Sequence, residues 1–165
     1  MPPVLRMASI EDAAGILEVY APYILNTSIT FEYEVPPIEE FKKRIEGILK
    51  KYPYLVCEEN GIILGYAYAG PHRTRAAFGW NAELSVYVRP ECQRHGIAFA
   101  LCRCIIEILR EMGCYHLYSH ITIPNSGSLA LHKALGFVEE GRLSRTGFKL
   151  GSWHDMAVLS LQLAP

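Results

Sequence analysis

Apolar and polar positions follow two rhythms along this chain, one near 3.6 residues and one of two, and each predicts a different element. A short apolar piece from Val4 to Ala8 is followed by Ser9 with Asp12 three residues on, a capping-box arrangement that opens a helix. Ala13, Ile16, Leu17, Tyr20 and Ile24 then recur at helical spacing. The stretch from Asn26 to Pro37 is aromatic, β-rich and ends in Pro-Pro, which predicts an extended loop. A second helix begins near Ile38, with Phe41, Ile45, Ile48, Leu49 and Tyr52 on one stripe. Tyr54 to Glu59 and Ile62 to Ala69 flank Asn60-Gly61, a pair that accepts the positive φ of a tight hairpin turn.

From Trp80 to Val88 the period is two. Trp80, Ala82, Leu84, Val86 and Val88 point one way, and Asn81, Glu83, Ser85 and Tyr87 the other. A polar turn leads to a helix from about Ile97 to Met112, with Gly113 as its C′ stop. Cys114 to Ile123 predicts a strand, and Ser126 to Leu135 a helix ended by Gly136. Phe137 to Leu163 predicts two strands around a Gly-rich turn from Gly147 to Trp153. The order βα, α, ββ, β, α, β, α, ββ predicts one α/β domain over residues 1–165, a mixed central sheet flanked by helices.

Composition agrees with a globular chain: 165 residues, 50% hydrophobic and 20% charged. Lys plus Arg number 16 against 17 acids, and a net charge of -1 argues against a broad nucleic-acid-binding face. No apolar run is long enough to span a bilayer, and the N-terminus lacks the plan of a signal peptide, so the expected compartment is the cytoplasm. Cys57, Cys92, Cys102, Cys104 and Cys114 are odd in number and mostly set in apolar segments, as reduced core thiols would be. The histidines form no HExxH motif, and no metal is expected.

The chemistry concentrates between Glu83 and Ala98, where a strand runs through a polar loop into Gln93-Arg94-His95-Gly96-Ile97-Ala98 at the start of a helix. Small residues at 96 and 98 let a ligand approach the backbone, and the free amides of a first helical turn attract anions. Each favourable charge there contributes about 0.3–1 kcal/mol. The residues alone allow two readings, a pyrophosphate cradle or a plain turn with Arg94 and His95 in solvent.

With its surroundings, this segment resembles the acetyl-CoA loop of the GCN5-related N-acetyltransferase (GNAT) superfamily, Gln/Arg-x-x-Gly-x-Gly/Ala. Asn125, Ala130, Leu131 and the run Lys133 to Phe137 resemble a second superfamily feature. Three further stretches, Gly70 to Arg75, Glu83 to Val88 and Lys149 to Asp155, are similar to the phosphinothricin and methionine-sulfoximine acetyltransferase group. The resemblance implies that acetyl-CoA donates its acetyl group to a primary amine, with Glu83 as the general base. It implies cofactor contacts from the backbone of Val86, Tyr87 and Val88, which bind the pantetheine arm like an added strand. The pyrophosphate would meet Arg94, His95, Gly96, Ile97, Ala98 and Phe99, with Asn125 and Ser128 as further cofactor contacts. His132 would serve as general acid to the thiolate, with Ser85, Tyr87 and Tyr118 as other hydroxyl donors.

For the acceptor, the guanidinium groups of Arg73 and Arg75 suit a carboxylate or phosphinate. The resemblance favours Arg75 as the substrate-binding arginine and implies Phe31 as a pocket wall, with Phe78 at a substrate-contact position. Phe78 replaces a tyrosine and Glu32 an arginine of phosphinothricin-active relatives. Those two changes point away from efficient phosphinothricin turnover and toward small amino-acid analogues such as methionine sulfone or sulfoximine. The region of Trp153, His154 and Asp155 would complete a neighbouring subunit's pocket in a homodimer. A protein N-terminal or lysine acetyltransferase and a non-catalytic acetyl-CoA-binding domain are the alternatives.

Overall fold

In the computed structural model, which describes residues 1–164, the elements follow the expected order. Strand β1 spans Val4–Met7, helix α1 Ala13–Asn26 and helix α2 Ile38–Leu49. Strands β2 (Tyr54–Glu59), β3 (Ile62–Pro71) and β4 (Asn81–Val88) precede helix α3 (Ile97–Glu111). Strand β5 (His116–Ile123), helix α4 (Ser126–Ala134) and strands β6 (Val138–Lys149) and β7 (Ser152–Gln162) complete the chain.

The local signals act as their chemistry requires. The Asp12 carboxylate accepts the Ser9 amide at 2.8 Å, closing a 3-10 turn over Ile10–Asp12 that runs into α1. Asp12 also pairs with Arg6, and that guanidinium holds the carboxyl below its usual range. Asn60 and Gly61 take φ of 53° and 81°, the left-handed pair that a two-residue hairpin turn demands. Gly113 and Gly136 stop α3 and α4 with φ of 80° and 95°.

All strands join one sheet in the order β1-β2-β3-β4-β5-β7-β6. Every neighbouring pair is antiparallel except β4 with β5. Helices α1 and α2 cover one face, burying Ile16, Ile24, Phe41 and Ile45 against Val56 and Tyr66. Helix α3 covers the other, placing Leu101, Ile105 and Leu109 against Leu84, Leu117 and Leu159, with α4 at its margin. Cys57 and Cys102 lie in the second core, and burial pushes the Cys102 thiol up to about 12.

Three details differ from the sequence expectation. The last turn is tighter than Gly147 to Trp153: β6 runs to Lys149, β7 starts at Ser152, and Leu150-Gly151 make the reversal at φ of 53° and 78°. Trp153 is therefore a strand residue and not part of the turn, 59% exposed with its ring against Phe148. Trp80 precedes β4 and is 71% exposed, so the alternation begins one residue later than the pattern suggests.

Candidate active site

The parallel pairing of β4 with β5 is brief. Asn81, Ala82 and Glu83 face His116, Leu117 and Tyr118, and beyond that point the strands diverge. On their outer sides β4 stays paired with β3 as far as Val88, and β5 with β7 as far as Ile123. The inner edges therefore carry alternate N–H and C=O groups without a strand partner, which is the condition for accepting an extended ligand. Glu83 sits at the apex of this notch. Val86, Tyr87, Ser119, Asn125, Ser128 and His132 are among the residues that line it.

The mouth of the notch leads to the loop before α3. Arg94 and Gly96 both adopt left-handed backbone, φ 64° and 79°, and no side chain caps the helix. Successive amides in such a turn form a concave anion-binding nest at the positive end of the helix dipole. Arg94, His95, Gly96 and Phe99 are exposed, Ala98 is half-buried and Ile97 is packed into the core as an anchor. The loop is held from behind by Gln93, which donates to the Tyr23 hydroxyl at 2.9 Å, while Tyr23 donates to the Val88 carbonyl.

On the far wall, Asn125 accepts the Ser128 amide at 3.1 Å and so caps α4. His132 is 3% exposed, with Nδ1 2.7 Å from the Ser128 carbonyl and Nε2 2.8 Å from the Ser119 hydroxyl. Burial lowers its pKa, so the ring is neutral; Nδ1–H donates to the carbonyl and Nε2 accepts from Ser119. His132 lines the notch behind that hydroxyl.

Glu83 is about one-third exposed and has a histidine for its partner. Its Oε1 lies 3.1 Å from His120 Nδ1, a contact that becomes an ion pair when the ring is protonated. The carboxylate raises the His120 pKa, against an opposing effect of burial. His72, just past β3, stacks on Tyr118 with ring centroids 4.0 Å apart. The sequence reading did not single out His72, His120 or Ser119. Alternation along β5 puts His116, Tyr118 and His120 on one face, but only the pairing of Glu83 with Tyr118 brings that face to the carboxylate.

The acceptor residues are more scattered. Arg73 and Arg75 line a separate cleft of about 840 Å³ between α2 and β3, floored by Tyr54, Tyr66 and Tyr68. It adjoins the notch across one strand spacing, since Tyr68 faces Ser85 and Gly70 faces Glu83. Phe78 packs beneath the Arg73 guanidinium and against the edge of His72. Phe31, on the loop after α1, has its ring against Gly147 and 6.4 Å from His154. Glu32 is taken up by Arg44 at 2.7 Å and by the Tyr20 hydroxyl. Among the described residues, no group of three or more His, Cys, Asp or Glu could hold a metal ion.

A splayed parallel pair with a helix N-terminus at its mouth defines the class of this protein. The family profile for the acetyltransferase (GNAT) domain matches residues 5–158, and the chain belongs to that family of enzymes, whose acyl donor is acetyl-CoA. Within it, the chain is 34% identical to the phosphinothricin N-acetyltransferase of Streptomyces viridochromogenes, over 94% of this chain and 85% of that protein. It is 33% identical to the L-methionine sulfoximine/L-methionine sulfone acetyltransferase of Salmonella typhimurium, over 96% and 94% of the two chains. Among solved structures, a phosphinothricin acetyltransferase from Sinorhizobium meliloti in complex with acetyl-CoA superposes with a TM-score of 0.95. That protein is 36% identical, and the match covers 99% of this chain and 90% of the other.

Proposed function

We propose that this protein moves the acetyl group of acetyl-CoA to the primary amine of a small amino-acid-like acceptor, with Glu83 as the base. The observation that carries this reading is the position of Glu83 at the apex of the β4–β5 notch, where open strand edges can hold the pantetheine arm. The nest at Arg94 and Gly96 would hold the pyrophosphate, with the amides of Ile97, Ala98 and Phe99 adding the helix dipole. Val86, Tyr87 and Val88 would pair with the pantetheine amides, and Asn125 and Ser128 would close the other side.

The acceptor arrives as an ammonium ion and must lose one proton before it attacks. Glu83 receives that proton, and the nitrogen then adds to the thioester carbonyl. A free amide on the inner edge of β4 can hold the developing oxyanion. Addition forms the C–N bond, and collapse of the adduct restores the carbonyl and breaks the C–S bond. The second nitrogen proton passes to the thiolate, and the Ser119–His132 pair in the notch is the proposed route for it. His132, the acid that the resemblance implies, would act on the thiolate through that contact.

Arg73 and Arg75 would bind the acceptor's carboxylate or other acidic group, and their exposure on the cleft beside Glu83 supports this. The relatives named for phosphinothricin and for methionine sulfoximine or sulfone support the same acceptor class. Phe31 and Phe78 would shape the pocket. We place the enzyme in a homodimer, supported by Leu143, Phe148, Leu150 and Trp153 exposed along the β6–β7 hairpin; a monomer mass in sedimentation would remove that element.

The test is a panel of amino-acid analogues assayed for acetyl-CoA-dependent thiol release. Methionine sulfone or sulfoximine is expected to lead the panel. Glu83→Gln is expected to lower kcat by roughly 10²–10⁴-fold with the thermal shift by acetyl-CoA retained. Acetylation of protein N-termini with no free amino acid accepted would contradict the acceptor class.

A further inference from the structure

The carboxylate at the apex has company that a lone base does not need. His120 Nδ1 is 3.1 Å from Glu83 Oε1, and both rings that follow stand in register with it: His72 lies 6.1 Å from His120 and 4.0 Å from Tyr118, each at an interplanar angle of 14°. The Nδ1 atoms of His72 and His120 are both buried without an aligned hydrogen bond. A buried polar atom left this way is costly, and at a reaction site it marks a group kept for a partner that arrives with the chemistry. For His120 that partner is a proton shared with Glu83.

We propose that Glu83 and His120 form one proton-accepting pair, in which Glu83 meets the acceptor ammonium and His120 Nδ1 holds the proton it gives up. This deepens the acetyltransferase reading and rests on it. One ammonium proton enters the pair, which becomes imidazolium beside carboxylate. The nitrogen's second proton leaves with the CoA thiolate, and the pair returns its proton to solvent after the N-acetyl product departs. An ordinary carboxyl near 4.3 is a weak base toward an ammonium ion, whereas an imidazole near 6.5 is better matched to neutral pH.

His120 therefore acts through Glu83 as a positioning residue for the proton. The groups that face it come from every neighbouring element. Glu83 on β4 raises its pKa, and burial and Arg73 lower it. His72 beyond β3 is itself lowered, first by burial, so it adds little charge; Tyr118 lies beside it on β5 and Val158 opposite it on β7. Ile29, from the loop after α1, lines the same notch. The active form needs His120 neutral. Because the carboxylate raises the ring's pKa, activity should fall on acidification at or above the ordinary imidazole range.

The experiment is the pH dependence of kcat for the wild type, His120→Gln and Glu83→Gln with one common acceptor, joined to an NMR titration of the His120 ring. His120→Gln should lower kcat by about 10–100-fold, keep the acceptor KM within about threefold, and move the acid limb down toward the carboxylate range. The His120 midpoint should fall in Glu83→Gln, and the loss in the double variant should be no larger than in the worse single variant. A kcat within about twofold of wild type and an unmoved limb in His120→Gln would overturn the pair. So would a His120 midpoint unchanged by Glu83→Gln, a measurement that needs no folded His120 variant. Absence of acetyl transfer by the wild type to any amine would instead strike the acetyltransferase reading, leaving the NMR result to decide the pair.

Discussion

Arg94 and Gly96 turn the backbone through the left-handed region within two residues of each other, and the proposed cofactor grip depends on that turn. A Cβ at Gly96 would meet nothing within 4 Å, so the site tolerates a side chain sterically but not conformationally. Left-handed backbone costs an L-residue about 1–2 kcal/mol, which sets the expected stability loss of Gly96→Ala. Gly96→Glu adds a negative charge where a pyrophosphate should sit. It should match Gly96→Ala in melting temperature yet weaken acetyl-CoA at least tenfold more, by calorimetric titration. Equal affinities for the two variants would mean that the nest does not contact the phosphates.

At the scale of elements, the loop after α1 and the β6–β7 hairpin are fastened together from opposite ends of the chain. Lys149 is 4% exposed and donates to the Thr30 carbonyl at 2.8 Å, Tyr33 donates to the Phe148 carbonyl, and the Phe31 ring rests on Gly147. Burial lowers the Lys149 pKa while Glu32 draws it up. A Cβ at Gly147 would lie 2.4 Å from the Phe31 ring, so Gly147→Ala must displace that ring. The expected cost is about 1–3 kcal/mol by denaturant unfolding, with a severalfold rise in acceptor KM and an unchanged acetyl-CoA affinity. An unchanged acceptor KM would show that Phe31 does not shape the pocket.

Nearly every element was legible because periodicity and end signals report local physics: the stripe in α2, the alternation in β4, and Asn60-Gly61 and Gly113 at their turns. Gly147 to Trp153 misled because a glycine on a long exposed strand looks like a turn residue; here it makes room for Phe31. The resemblance supplied Glu83 and the loop from Arg94 to Phe99 as site residues. It could not supply His120, whose meeting with Glu83 depends on which strands pair and where they part. Arg73 and Arg75 were readable as a pair of cations, but their cleft arises from α2 packing over β3, a contact with no local signature.

On the scale of the whole molecule, one break in an otherwise continuous sheet organises the proposed site. Two cores hold the sheet from both faces, so β4 and β5 can separate beyond Glu83 without loss of their outer partners. The same break leaves strand edges open for an extended ligand and brings α3 to its mouth. Membership of the GNAT family agrees with this arrangement, and the match to relatives over nearly the full chain covers both sides of the notch. The most direct measurement is a crystal structure with coenzyme A bound. The pyrophosphate should lie within hydrogen-bond reach of the amides around Gly96, with the sulfur in the notch between Glu83 and Ser119. A nucleotide bound elsewhere, with that loop unengaged, would contradict the account.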